Sequence, residues 1–142
     1  MPSENAATSS AIFDVRVLLV EDDDPLRSSI ELILRDLGCR VLTAGNGEEA
    51  LDVLAASHRE IDVVFSDVVM PGRVSGYQLA QRVRDFPSRI RVLLTSGYPL
   101  DARGYDQNTP LLDKPYTEEQ LATALAALLQ HESDDQVNDR GR

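Results

Sequence analysis

The sequence contains a single cysteine, Cys39, so no internal disulfide can close. Its first ten residues, MPSENAATSS, lack the basic start and apolar stretch of a secretory signal, and the expected location is the cytoplasm. No run comes near the roughly 18 to 20 consecutive apolar residues of a membrane-spanning helix. Basic side chains are the minority, with Lys+Arg 14 against Asp+Glu 24 and a net charge of -10. That balance argues against binding nucleic acid, because the grip on phosphates comes mainly from Lys and Arg. Apolar residues are not scarce. At 42% of 142 residues, with 27% charged, they suffice for one buried core and exclude a wholly disordered chain.

Four apolar runs rich in β-branched residues, 15–20, 41–44, 61–66 and 90–96, read as strands, and 110–112 as a short fifth. None alternates strictly, which suits strands buried on both faces of a parallel sheet. The intervening stretches carry helical spacing: Leu26, Ile30, Ile33, Leu34 and Leu37; Ala50, Leu51 and Leu54; Leu79, Val83 and Phe86; and Leu121, Leu125, Leu128 and Leu129. Asp24 before Pro25 predicts a helix N-cap, Gly38 a helix stop, and Thr117 to Gln120 a capping box. Alternating strands and helices imply right-handed βαβ crossovers and helices on both faces of the sheet. The interval 97–109, GYPLDARGYDQNT, has few apolar residues and predicts a loop with at most one helical turn. Residues 1–13 and 132–142 read as flexible polar tails around one domain at 14–131.

In open α/β sheets, ligands sit beyond the carboxyl ends of the strands. Here those ends carry Glu21-Asp22-Asp23-Asp24, Ser66-Asp67, Thr95-Ser96-Gly97 and Asp113-Lys114-Pro115. Carboxylates from two strands, with one lysine nearby, need a counter-charge to stand close together. A hard divalent cation supplies it, and Mg2+ suits oxygen ligands shared with a phosphate. An aspartate can attack phosphorus to form an aspartyl-phosphate, with metal, hydroxyl and lysine stabilising the transferring oxygens.

The motifs that carry this chemistry are VLLVEDD at 17–23, SDVVMPG at 66–72 with GYQLA at 76–80, VLLTSGYP at 92–99 and LLDKPY at 111–116. Together, in this order and spacing, they resemble the CheY-like receiver domains of two-component response regulators, over roughly residues 14–131. The resemblance implies a flavodoxin-like, doubly wound five-stranded parallel sheet of order 2-1-3-4-5. It identifies Asp67 as the phosphoacceptor, with Asp22 a direct Mg2+ ligand, Glu21 acting through water and the Val69 backbone carbonyl completing the protein ligands. Ser96 matches the hydroxyl that reads the phosphoryl group. Lys114 matches the family lysine, with a cis bond to Pro115.

The resemblance further implies phosphoryl transfer from the phosphohistidine of a histidine kinase or phosphotransfer protein, then slow autodephosphorylation. It does not describe a conventional enzyme. Two positions depart from the common pattern: Leu111 stands where many receivers carry an aromatic switch residue, and the fourth helix, between strands four and five, reads as shortened or absent. The SGY sequence at 96–98 resembles receivers of hybrid histidine kinases or stand-alone relatives. The eleven residues ESDDQVNDRGR after the last helix are too few and too polar for an output domain, so the signal of a monomer or weak dimer is expected to leave by binding a downstream protein or by passing the phosphoryl group on.

Two rival readings differ in class. A phosphorylation-independent interaction module would dock through the Leu-rich last helix, but Asp22, Asp67, Ser96 and Lys114 are all in place. A phosphatase or phosphotransferase acting on small metabolites through an aspartyl-phosphate would need a cap domain to enclose its substrate, for which a chain this short leaves no room. Among the remaining candidates, His58 and His131 lack metal-ligand spacing, and Cys39 reads as packing. Four positions stay open: Met70 and Tyr77 between loop and helix packing, the favoured reading, and ligand contact, and Tyr98 and Tyr116 between core and partner surface.

Overall fold

The computed structural model describes residues 13–97 and 109–140, with side chains described up to residue 130. Strands β1 (Arg16–Val20), β2 (Arg40–Ala44), β3 (Val63–Asp67), β4 (Arg91–Ser96) and β5 (Leu111–Asp113) form one sheet of order β2-β1-β3-β4-β5. Every pairing is parallel. The helices are α1 (Asp24–Asp36), α2 (Gly47–Ser57), α3 (Gly76–Val83) and α4 (Glu118–Arg140), with a 3-10 turn at His58–Glu60. The 2-1-3-4-5 order and the doubly wound layers are as expected. The fourth-helix expectation falls on 98–108, outside the described residues.

Side-chain alternation explains the unbroken apolar runs. Val17, Leu19, Val63, Phe65 and Leu93 face one layer, where Ile30 and Leu34 of α1, with Leu37 just past its end, meet Leu121, Leu125 and Leu128 of α4. Leu18, Val20 and Val64 face the other, against Ala50 and Leu54 of α2 and Leu79 and Val83 of α3. Both strand faces are buried, so the period-2 signal disappears from the sequence.

Several boundaries move. The N-cap of α1 is Asp23, whose carboxylate accepts the Leu26 N–H at 3.2 Å, and Asp24 is already helical. The Asp23 carbonyl also accepts the Arg27 N–H at 2.8 Å, so two oxygens of the acidic loop are committed to starting the helix. Ile61 lies before β3, because its N–H closes the 3-10 turn on the His58 carbonyl. Phe13 belongs to the fold and not to a tail, being buried in the α1 layer with its N–H on the Leu37 carbonyl at 3.0 Å. The last helix continues to Arg140, beyond the expected end near residue 131. From Glu118 on, no proline or glycine interrupts the chain before Gly141, so nothing in the sequence stops it. Its start is as expected, with Thr117 and Gln120 exchanging side-chain and backbone hydrogen bonds.

Candidate functional site at the carboxyl edge of the sheet

The parallel register places the strand ends together. Asp67 is paired with Thr95, and Ser96 with Asp113, while the Lys114 N–H extends the β4–β5 ladder onto the Ser96 carbonyl at 2.9 Å. Residues far apart in sequence thus share one edge. Glu21, one residue past β1, is only 3% exposed, whereas Asp22 beside it is exposed.

Glu21, Asp22 and Asp67 each offer a carboxylate oxygen within 4.8 Å of the others. Lys114, the one lysine in the chain, answers them with Nζ 3.0 Å from Asp67 Oδ2 and 3.8 Å from Glu21 Oε1. The Lys114–Pro115 peptide is cis, as expected. Three carboxylates facing one ammonium leave an excess of negative charge, and every donor is a hard oxygen. That donor set fits a hard divalent cation. Burial pushes the Glu21 carboxyl above the ordinary range, and the Asp67 and Asp22 charges add to it. The Asp23 N–H, 3.1 Å from Glu21 Oε2, and the Lys114 charge pull the other way.

Of the two hydroxyls ending β4, Thr95 is spent inside the fold, donating to the Leu112 carbonyl at 2.8 Å. Ser96, 3% exposed, is the one at the last position of the strand. Val69 lies two residues past Asp67 and is 56% exposed, so packing does not hold its side chain. Arg27 was not singled out from the sequence. Its guanidinium donates to the Glu21 carbonyl at 2.8 Å and to Asp24 Oδ1 at 2.7 Å, tying the acidic loop to the first turn of α1. The only sequence trace of that role is the i,i+3 spacing of Asp24 and Arg27.

The open candidates divide. Tyr116 packs edge-on against Phe65 at 6.0 Å, with its hydroxyl buried and without a hydrogen-bond partner. Burial raises its pKa, and the Glu21 and Asp67 charges raise it further. Met70 packs against the α2 and α3 layer, and Tyr77, on α3 itself, against the buried cluster of Val68, Ala80 and Leu94. His58 Nδ1 lies 2.6 Å from Ser88 Oγ and its ring leans on Phe86, which makes it a structural contact. Cys39 is buried in the α1 layer, as read. Tyr98 and the side chain of His131 fall outside the described residues. Among the described residues, no helix is long and apolar enough to cross a membrane.

Comparison with known proteins places this geometry. A family model for the response regulator receiver domain matches residues 17–126. The sensor kinase CckA of Brucella abortus is 37% identical over 120 residues, which are 80% of this chain and 12% of that protein. Protein PilG of Pseudomonas aeruginosa is 32% identical over 122 residues, 80% of this chain and 86% of that one. The chain thus spans a small part of the kinase and most of PilG. The solved receiver domain of the hybrid histidine kinase CckA superposes with TM-score 0.68 at 35% identity, covering 80% of this chain and 98% of that one. Vibrio cholerae CheY4 gives 0.71 at 27% identity, covering 82% and 99%. A matched span that runs from β1 into α4 and encloses the whole acidic edge shows that this chain belongs to the response regulator receiver domains, the phosphoryl-accepting modules of two-component signalling.

Proposed function

We propose that Asp67 is the phosphoacceptor and that Glu21, Asp22, Asp67 and the Val69 carbonyl hold Mg2+. The observation that carries the reading is the meeting of Asp67 with Lys114 at 3.0 Å inside a cluster of three carboxylates. A bound divalent cation supplies positive charge to the carboxylates and to the non-bridging phosphoryl oxygens.

The chain's own residues supply the rest. An Asp67 carboxylate oxygen attacks phosphorus, the phosphohistidine P–N bond breaks, and neutral imidazole leaves on the donor. Lys114 already donates to Asp67 and is placed to follow the negative charge onto the phosphoryl oxygens. Ser96 provides a hydroxyl beside it. Hydrolysis then returns the carboxylate and releases inorganic phosphate. The donor is a histidine kinase or phosphotransfer protein in the cytoplasm, and the phosphoryl charge, about −1.5 to −2, shifts the β4 end and Lys114 to change binding of a downstream protein.

Intact mass after incubation with acetyl phosphate tests this. A gain of one phosphoryl group that needs Mg2+ and is absent in Asp67→Ala is expected. If Asp67→Ala gains the same mass, Asp67 is not the acceptor. If the parent chain forms neither the phosphoryl nor a beryllofluoride adduct, a phosphorylation-independent interaction module becomes the better reading.

A further inference from the structure

The loop 68–75, which leaves Asp67 and contains Val69, is fastened at both ends near the acceptor. The Val68 N–H bonds the Thr95 carbonyl and the Gly76 N–H bonds the Val68 carbonyl, both at 2.9 Å. Its far side meets the start of α2. There Val74 is buried, with the first helical residue, Gly47, so close that a Cβ would stand 2.5 Å from the Val74 carbonyl oxygen. The polar tether from α2 is Glu48. Its Oε2 accepts the Arg73 N–H at 2.7 Å, and its Oε1 is shut from solvent against Gly72.

Gly72 has φ +97, and a Cβ on it would stand 2.7 Å from Glu48 Oε1. The loop is therefore shaped around that carboxylate. The Arg73 N–H holds the Glu48 carboxyl below its ordinary range, so the group is ionised at neutral pH. A charge-assisted hydrogen bond of this length is among the stronger ones, and the first turn of a helix favours the negative charge.

We infer that Glu48 is a positioning residue for the metal site: by clamping the Arg73 N–H it sets where the loop, and with it the Val69 carbonyl, stands relative to the Asp67 carboxylate. This rests on the reading of Glu21, Asp22, Asp67 and Val69 as the Mg2+ ligands. Glu48 itself touches neither metal nor phosphate. Without it the loop keeps its Val74 anchor and both end bonds, so the fold survives while the ligand's placement loosens.

Calorimetric titration of the full chain with MgCl2 tests the inference, with thermal unfolding run alongside. Glu48→Ala is expected to bind Mg2+ about tenfold more weakly, the lower end of what groups standing behind metal ligands contribute. Glu48→Gln, whose amide oxygen still accepts from Arg73, is expected to restore affinity to within about twofold of the parent. Wild-type affinity in Glu48→Ala overturns the inference, as does equal weakening in both variants, which would make Glu48 a matter of net charge. Absence of Mg2+ binding in the parent chain overturns the metal-site reading itself and this inference with it.

Discussion

Lys114 Nζ and Asp67 Oδ2 stand 3.0 Å apart although 47 positions separate them in the chain. The contact exists because β5 lies beside β4 and β4 beside β3, all parallel and ending together. Replacing Lys114 by Ala leaves Glu21 and Asp67 without their cation. We predict that acetyl phosphate then labels the protein at least about 100-fold more slowly, the usual effect of losing one charge-stabilising donor. Intact mass followed against time measures it, and an unchanged rate would reduce Lys114 to a surface residue.

Gly76 touches the acceptor's own backbone. A Cβ there would stand 2.4 Å from the Asp67 carbonyl oxygen and 2.7 Å from Val68 Cα, neither of which can swing aside. Gly76→Ala is predicted to lose about 1 to 3 kcal/mol of stability from overpacking and to impair labelling of Asp67. Gly97→Ala is the control, since its nearest neighbour, Lys114 Cβ, is 3.6 Å away. Its stability is expected within about 0.5 kcal/mol of the parent. Urea denaturation of both variants separates the two cases, and equal stabilities would contradict the packing.

Val69 is exposed two residues past Asp67 and carries no group able to orient a water molecule. Val69→Asn is therefore predicted to shorten the lifetime of the phosphorylated protein. Loss of the phosphoryl mass after removal of acetyl phosphate gives both rates; identical decay would show that this position does not govern hydrolysis.

Cys39 is 4% exposed, and burial raises its thiol pKa from 9.0 to about 11. The unfolded thiol ionises first, so the stability tied to keeping it protonated is complete below pH 9 and drains away as pH rises through about 11. The parent should lose about 2 to 3 kcal/mol more than Cys39→Ala across that interval. Denaturant titrations of both proteins read the difference. At pH 8, a thiol reagent should modify native Cys39 far more slowly than the urea-unfolded chain; equal rates would mean the thiol is open to solvent.

Much of this protein is legible locally. The βα alternation, the Gly38 stop and the capping box at Thr117 rest on nearest-neighbour chemistry, and each stands where the pattern puts it. The edges that moved were decided by neighbours. Asp23 and Asp24 compete for one cap, and the choice depends on which carboxylate meets the Leu26 N–H while Arg27 draws Asp24 aside. Phe13 stands just ahead of the first strand, beside the polar start of the chain, and only the tertiary structure shows it in the core, with its N–H on the Leu37 carbonyl.

The sequence by itself determined the order of elements, the parallel sheet and the residue types at the strand ends, because these follow from hydrophobic spacing, turn chemistry and a family pattern carried in order along the chain. Tertiary structure alone decided the distances. It buried Glu21 while leaving Asp22 in solvent, set Lys114 on Asp67, and brought Glu48 of one helix onto Arg73 of a distant loop. Burial and electrostatics depend on what packs from other strands and helices, and no local window of sequence contains those neighbours.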